Sequence, residues 1–303
     1  MPMYARLAPL SWRVKRKEVC KNCRDKSCIS SKNLYKFQSK SCGVNLVPQQ
    51  LEDNTNCLLC GQCLKACDLN NPGQGDRPNP GWFKRQFAKD LLDLKPLSMA
   101  QAVFVLVVSG FVIYEIAVEY SITKKLLLYV PGLFIKFFNL NGTWAKGITE
   151  SLTIFFILPA IIWFIPFGLA RLGGVRTTFS NYMKNVGISF IPIMAAGHII
   201  KSIAKSTSRI PYWKHSLSDP IGYQAAQAIQ NKSIQLTGIP QWGQMLITVI
   251  VIVLIILALF LNLVIIKKIL AKHFPGRKGG LFYYFISFLY GGSFIAMIII
   301  WRF

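Results

Sequence analysis

The chain has 303 residues, of which 52% are hydrophobic and only 16% are charged, and its formal net charge is +23 at pH 7. This apolar share excludes a pair of ordinary soluble domains and indicates that much of the chain lies in lipid. The positive charge indicates anionic lipid head groups and an acidic protein partner rather than nucleic acid, because Lys and Arg beside apolar spans mark the cytoplasmic face of a membrane. All eight cysteines precede Pro96 and every long apolar run follows it, which predicts two parts.

Residues 1–19 are predicted to form a basic arm. The segment ends in Arg13, Lys15, Arg16 and Lys17 and shows no helix or strand periodicity, so it is expected to lie on lipid head groups or to contact a partner. No apolar core typical of a secretory signal precedes Trp12.

The most informative stretch is the cysteine run C-x2-C-x2-C-x3-C formed by Cys57, Cys60, Cys63 and Cys67. Bacterial ferredoxins use this run to hold a [4Fe-4S] cluster, because three closely spaced thiolates can surround one face of a cube. Gly61 fits the same interpretation, since a chain that folds its amides toward inorganic sulfur needs a residue without side-chain crowding.

A second group of cysteines lies upstream, with Cys20, Cys23 and Cys28 spaced C-x2-C-x4-C and Cys42 alone. In two-cluster ferredoxins the fourth cysteine of the run ligates the other cluster. Crossed ligation then predicts two ligand sets, and together they use every cysteine of the chain: Cys20, Cys23, Cys28 and Cys67 for one cluster, and Cys42, Cys57, Cys60 and Cys63 for the other.

Two other uses of the cysteines are open from the residues alone. Two zinc ions, each held by four cysteines, would also use all eight, although three cysteines in seven residues fit a zinc knuckle poorly. Disulfides belong mainly to exported domains, which the start of the chain does not suggest.

The segment 20–67, in which Leu46-Val47-Pro48 leads into the cysteine run, resembles the membrane-bound polyferredoxins related to the nitrous oxide reductase regulator and the quinol-oxidising nitrate reductase subunit. The resemblance covers about a sixth of the chain, and its specific part is the eight-cysteine pattern. It implies electron transfer between a quinone or cytoplasmic donor and a membrane redox complex, with redox subunits as partners. The positive charge adds an acidic soluble electron carrier as a candidate partner.

Residues 20–78 are expected to form a small α+β ferredoxin-like domain with two clusters, whose few large apolar residues make cluster assembly part of folding. Residues 79–96 are predicted to form an interfacial amphipathic helix that begins at Asn79 and Pro80. Its apolar positions recur at helical spacing at Phe83, Phe87, Leu91 and Leu94.

Residues 97–303 are predicted to form an α-helical membrane domain with about five transmembrane helices, since five segments are long enough to cross roughly 30 Å of hydrocarbon. They lie near 97–120, 148–172, 186–204, 244–266 and 281–301. Pro159 and Pro166 are expected to kink the second span. Residues 124–140, interrupted at Pro131, are predicted to form a helix pair on or dipping into the opposite surface.

The Lys and Arg residues indicate the orientation. With the cysteine domain inside, 25 of the 35 basic residues lie on the inner side. The sequence therefore predicts a multi-pass protein of the inner, cytoplasmic membrane, with the cluster domain in the cytoplasm.

Ionisable residues within the spans are candidate polar sites. Glu115 and Glu119 share a face of the first span, and His198 and Lys201 share a face of the third. Such groups are functional candidates by default, or else they pair with nearby lysines or one another close to the outer surface. With His215 and His273 the chain has three histidines in total, too few inside the membrane for a typical b-type haem.

The sequence thus predicts a membrane-anchored electron-transfer subunit with two [4Fe-4S] clusters and a quinone as a further candidate cofactor, working within an oxidoreductase complex rather than as a stand-alone enzyme. Two alternatives stay open: an iron-sulfur redox sensor that regulates a membrane partner, and a zinc-bound docking module.

Overall fold

The structure is a computed structural model that describes residues 2–24, 26–29, 42–67, 80–119, 121–140, 142–231, 233, 238–275 and 278–302. It divides into two compact units, Met1–Pro96 and Leu97–Phe303. The boundary falls at the change from cysteine-bearing to apolar sequence, where the composition predicts it.

The first unit is a small α+β unit with a two-stranded antiparallel sheet. Strands β1 (Leu10–Val14) and β2 (Pro80–Lys84) pair with Trp12 opposite Trp82. Three short α-helices and two 3-10 turns complete the described part: α1 (Lys17–Asn22), α2 (Gln62–Lys65), α3 (Lys89–Leu92), Pro2–Leu7 and Pro48–Gln50. The α+β composition agrees with the sequence, and the ferredoxin topology stays a prediction.

The predicted basic arm over residues 1–19 is wrong. The 3-10 turn, β1 and the start of α1 all lie within it, and Trp12 is only 2% exposed. Burial of an indole ring removes a large apolar surface from water, which gives the segment a reason to pack despite its charge. Lys15, Arg16 and Lys17 stay exposed at its end.

The predicted interfacial helix over residues 79–96 is also wrong. Residues 80–84 form β2, and helix is confined to Lys89–Leu92 after Ala88, which has a left-handed backbone with φ of 57°. Leu91 and Leu94 are buried within the first unit, where α3 packs against the turn Pro2–Leu7. Cross-strand pairing therefore overrides a helical spacing that the apolar residues suggest, and Asn79 lies outside the described residues.

The second unit is helical throughout its regular elements. In chain order these are α4 (Met99–Ala117), α5 (Ser121–Phe137), α6 (Thr143–Leu152), a π-helical turn (Thr153–Ile157), α7 (Leu158–Leu172), α8 (Phe179–Ser218), α9 (Tyr223–Gln230), α10 (Gln241–His273), a 3-10 turn (Lys278–Leu281) and α11 (Phe282–Arg302). A capping box at Ser98 begins α4, where the Ser98 hydroxyl accepts from the Gln101 amide.

Five helices of the described residues are long and apolar enough to cross a membrane. They are Met99–Ala117, Thr143–Leu172, Phe179–His215, Gln241–His273 and Gly279–Ile298. Each coincides with one of the predicted spans. The multi-pass helical architecture therefore agrees with the sequence.

Three helices differ in detail from the prediction. The expected helix pair over 124–140 is wrong, since α5 runs unbroken from Ser121 to Phe137 through Pro131. The second span contains a π-helical turn directly before Pro159, which lacks the amide that an α-helical bond needs. The third span extends well beyond the predicted 186–204, because an apolar window marks the part of a helix that lies within the hydrocarbon thickness and not its polar continuation.

Helix α8 is central to the bundle, where it packs against α4 and α10. Its apolar window is 78% buried, whereas that of α10 is 28% buried. Gly197 lets α8 approach α4, because a Cβ atom there would lie 2.4 Å from Val112 Cγ1. A helix surrounded by protein needs fewer apolar residues, and the apolar window of α8 has a mean hydropathy of 1.6, against 3.5 for that of α10.

Candidate metal centre

The structure divides the eight cysteine thiols between two cavities of the first unit. The Cys20 cavity, of about 70 Å³, is lined by Cys20, Cys23, Cys28 and Cys67. The Cys57 cavity, of about 30 Å³, is lined by Cys42, Cys57, Cys60 and Cys63. These are the two sets that crossed ligation requires.

The division of the cysteine run between the two cavities follows from its local fold. Gly61 has φ of 72° and begins the single-turn helix α2, which places Cys63 in the Cys57 cavity. The helix ends at Lys65, so Cys67 leaves the helical path and lines the Cys20 cavity. A Cβ at Gly61 would meet only Trp12, at 3.9 Å, so the glycine is needed for its left-handed backbone rather than to relieve crowding.

The Cys57 cavity has mainly apolar walls. Cys57 and Cys63 are each 8% exposed and pack with Trp12 in one buried cluster, whereas Cys60 is exposed. The other apolar wall residues are Val44, Leu46, Pro48, Leu51 and Leu58. Such walls exclude water from the sulfur atoms on one side of the cavity.

Among the described residues, an indole N–H and two backbone amides donate hydrogen bonds to sulfur atoms of the Cys57 cavity. The indole Nε1–H of Trp12 donates to Cys63 Sγ. The backbone amide of Leu46 donates to Cys42 Sγ at 3.2 Å, and that of Leu59 to Cys57 Sγ at 3.4 Å. Hydrogen bonds to ligand sulfur are one of the means by which a protein adjusts a cluster's reduction potential.

The Cys20 cavity is more polar, and all four of its cysteines are half-buried. Cys20 lies in α1 and Cys23 caps that helix. Lys26, Ser27 and Gln49 contribute polar groups to the walls beside Ile29 and Val47. Pro48 lines both cavities, so the two share a wall.

Burial changes the acidity of three thiols. It raises the pKa of Cys28 to about 11 and that of Cys63 to about 12, although the Trp12 hydrogen bond acts against it at Cys63. Burial also raises the pKa of Cys57. Because a thiolate is the metal ligand, metal binding at these positions has to displace protons.

Four thiols around each cavity match in number and chemistry the four irons of a [4Fe-4S] cluster, so the residues present fit that group. Among the residues that the structure describes, no three His, Cys, Asp or Glu side chains stand close enough together to hold a single metal ion. The fit therefore depends on the shared cavity walls and the donor set, and not on a preformed mononuclear site.

A buried ion pair supports the cysteine loop, and sequence reasoning missed it. Arg85 Nη1 lies 2.6 Å from Asp90 Oδ1, with both side chains at least 93% buried. Asp90 Oδ2 accepts from the backbone amide of Asn54 at 2.9 Å, and the Asn54 carbonyl accepts from the Cys57 amide at 3.2 Å. The Asn54 side chain donates to the carbonyl of Leu10 at 2.8 Å, which connects the loop to β1.

Sequence reasoning also missed that Trp12 is buried beside the cysteines of the Cys57 cavity, because the residues around it are basic. A tryptophan in a segment otherwise rich in Lys and Arg is a signal that one face is buried, because its ring is rarely left in water.

In the second unit, the structure brings the predicted polar residues Glu115, Glu119 and Lys201 together. Lys201 is only 7% exposed, its Nζ donates to the Glu115 carbonyl at 2.7 Å, and it pairs with the Glu119 carboxylate. Glu115 Oε2 lies 3.9 Å from the same nitrogen. His198 lies on α8 with its ring 6.3 Å from that of Phe111. Mutual pairing was one of the two expected outcomes, and a role for this group stays a prediction.

A layer of buried polar and aromatic side chains in the bundle was not predicted. Ser287 Oγ donates to Asn262 Oδ1 at 2.6 Å between α11 and α10. Tyr283 and Tyr290 lie on the same face of α11 and are at most 1% exposed. The spacing of Tyr283, Ser287 and Tyr290, four and three residues apart, is the signal that could have revealed this face.

In comparisons with known proteins, no protein-family model, no curated protein and no solved structure matches the chain.

Proposed function

We propose that this protein is a membrane-anchored electron-transfer subunit whose first unit holds two [4Fe-4S] clusters, and that it passes electrons between a cytoplasmic donor or quinone and a membrane redox complex. The observation that carries the proposal is the division of eight thiols into two four-thiol cavities. No cysteine is left over for another role.

Each residue group has a part in this function. The thiolates of the two sets hold the clusters, which supply reversible one-electron oxidation and reduction when bound. The shared wall at Pro48 keeps the two sets adjacent. The apolar walls and the N–H donors of the Cys57 cavity change the free energy of adding negative charge to the cluster bound there.

The five apolar helices anchor the subunit in the inner membrane. The excess of Lys and Arg on one side favours a cytoplasmic first unit and an outer C-terminus. Electrons then enter and leave on the cytoplasmic side, through a partner or a quinone. Reporter fusions at the two ends test the topology, and reporters on the same side would contradict it.

The direct test is anaerobic purification of the full chain, with iron and acid-labile sulfide counted and the reduced protein examined by electron paramagnetic resonance. We expect about eight iron and eight sulfide per chain. Stoichiometric zinc, or a protein folded without iron, would contradict the proposal and favour the docking module.

One observation favours the redox-sensor alternative: Cys60 is exposed, so a cluster edge there is accessible to oxidants. Repeated reduction and reoxidation separates the two functions. An electron-transfer subunit keeps its iron through many cycles and reduces an added acceptor, whereas a sensor loses iron on oxidation and changes its binding to a partner.

A further inference from the structure

Trp12 has an unusual position for a residue in a basic segment. Its side chain is 2% exposed, packs with Cys57 and Cys63, and lines the Cys57 cavity. Its Nε1–H donates to Cys63 Sγ. The indole is therefore part of the wall and also a hydrogen-bond donor to one of the four thiols.

Strand pairing and a side-chain hydrogen bond fix the position of the Trp12 backbone. Residue 12 lies in the middle of β1, whose backbone pairs with β2 on one edge. The Asn54 side-chain amide holds the strand's first residue through the Leu10 carbonyl. Asn54 is itself held by Asp90 and precedes Cys57 by three residues, so the ring and the cysteine run share one support.

An N–H group that points at a ligand sulfur stabilises negative charge on it. A cluster gains one electron when it is reduced, so the reduced state benefits more from the donor than the oxidised state. Apolar walls act in the opposite direction, because they disfavour added charge. The two backbone donors, from Leu46 and Leu59, cannot be removed by a side-chain substitution, whereas the indole can.

We infer that Trp12 is a positioning residue that raises the reduction potential of the cluster in the Cys57 cavity and leaves that of the Cys20 cavity unaffected. The inference rests on the proposed function. The described wall residues of the Cys20 cavity include no tryptophan, so the effect belongs to one site.

The experiment is a redox titration of the anaerobically purified full chain and its Trp12→Phe variant, followed by electron paramagnetic resonance. Phenylalanine keeps an aromatic ring in the wall but has no N–H. We expect the reduction equilibrium of one cluster to fall roughly tenfold, which is about 59 mV for a one-electron couple, while the other is unchanged. Trp144→Phe is the matched control, because Trp144 is 87% exposed in the second unit.

A second measurement uses the unaltered protein, in case the variant loses a cluster. With ¹⁵N in the indole rings, pulsed resonance should detect coupling between one reduced cluster and a tryptophan nitrogen, in the Trp144→Phe control as well. Two intact clusters with no such coupling, or a titration in which neither or both potentials shift, would overturn the inference. A chain that binds no iron would instead refute the proposed function.

Discussion

The two cysteine cavities present the same four-thiol donor set but surround it differently. In the Cys57 cavity two thiols are 8% exposed, the walls are mainly apolar, and an indole and two amides donate to sulfur. In the Cys20 cavity all four thiols are half-buried beside Lys26, Ser27 and Gln49. Identical ligands in unlike walls are a means of holding two clusters at different potentials.

The comparison shows which part of the protein controls which property. Under the proposed function, cysteine spacing lets each cavity hold a cluster, but it does not determine how easily that cluster is reduced. Burial of the Cys57 cavity opposes reduction and its N–H donors favour it, so the balance depends on a few wall residues. Substitutions in the first unit test how far the two cavities and their supports differ.

The largest effect is expected from two cysteine substitutions four residues apart. Cys63→Ser should remove the cluster of the Cys57 cavity and Cys67→Ser that of the Cys20 cavity, because α2 ends between the two positions. Each variant should lose about half of its iron, with a different resonance signal surviving in each. Cys42→Ser should give the same spectrum as Cys63→Ser, and the same surviving signal in the Cys63 and Cys67 variants would show that ligation is not crossed.

Asp90→Ala should destabilise the first unit by roughly 3–5 kcal/mol, because it leaves the buried Arg85 without its carboxylate partner. The Cys57 cavity should lose its structure first. Asp90 accepts a hydrogen bond from Asn54, which precedes that cysteine run and donates to β1. The measurement is denaturant unfolding of the full chain, followed by the visible absorption of each cluster. Asp93→Ala, at an exposed position of the same segment, is the control and should change stability by less than about 0.5 kcal/mol.

Replacing two glycines of the Cys57 cavity with alanine should change the free energy of unfolding by different amounts. Gly61→Ala is expected to cost about 1–2 kcal/mol, because a residue with a Cβ is strained at φ of 72°. At Gly43, which has no positive φ and open space around its Cα, alanine should be close to neutral. Unfolding midpoints of the two variants check this, and equal losses would mean that crowding in the cavity, rather than backbone conformation, selects glycine.

The smallest effect is a pH dependence at Asp53. Burial acts to raise its pKa, but hydrogen bonds from Lys95 and Thr55 outweigh burial and lower the pKa to about 2. An unfolded Asp titrates near 3.9, so the stabilisation is present above about pH 4 and is lost as the pH falls toward 2. Both side chains are partly exposed, which limits the contribution to less than about 1 kcal/mol.

The check is to compare the thermal stability of the protein and its Asp53→Asn variant from pH 6 to pH 3. The stability difference between them should shrink as the pH falls. A difference that grows as the pH falls would have the wrong sign for a lowered pKa.

The sequence by itself determined the features that depend on local composition. Long apolar runs located the five membrane-length helices, because the hydrocarbon thickness sets a minimum length for any span. The eight cysteines and their spacing predicted the two sets that line the two cavities. Helix ends were less well predicted, as the extension of α8 to Ser218 shows, because polar residues continue a helix outside lipid without any apolar signal.

The tertiary structure alone decided which distant segments meet. The backbones of residues 12 and 82 pair across a sheet although 70 positions separate them, and this pairing converts a predicted arm and a predicted interfacial helix into β1 and β2. The indole contact with Cys63, the Asp90 contact with Asn54, and the Lys201 and Glu119 pair arise in the same way. These contacts could not be predicted from the sequence, because strand formation and burial of a charge depend on the partner that the fold supplies. Local periodicity does not indicate which residue that partner is.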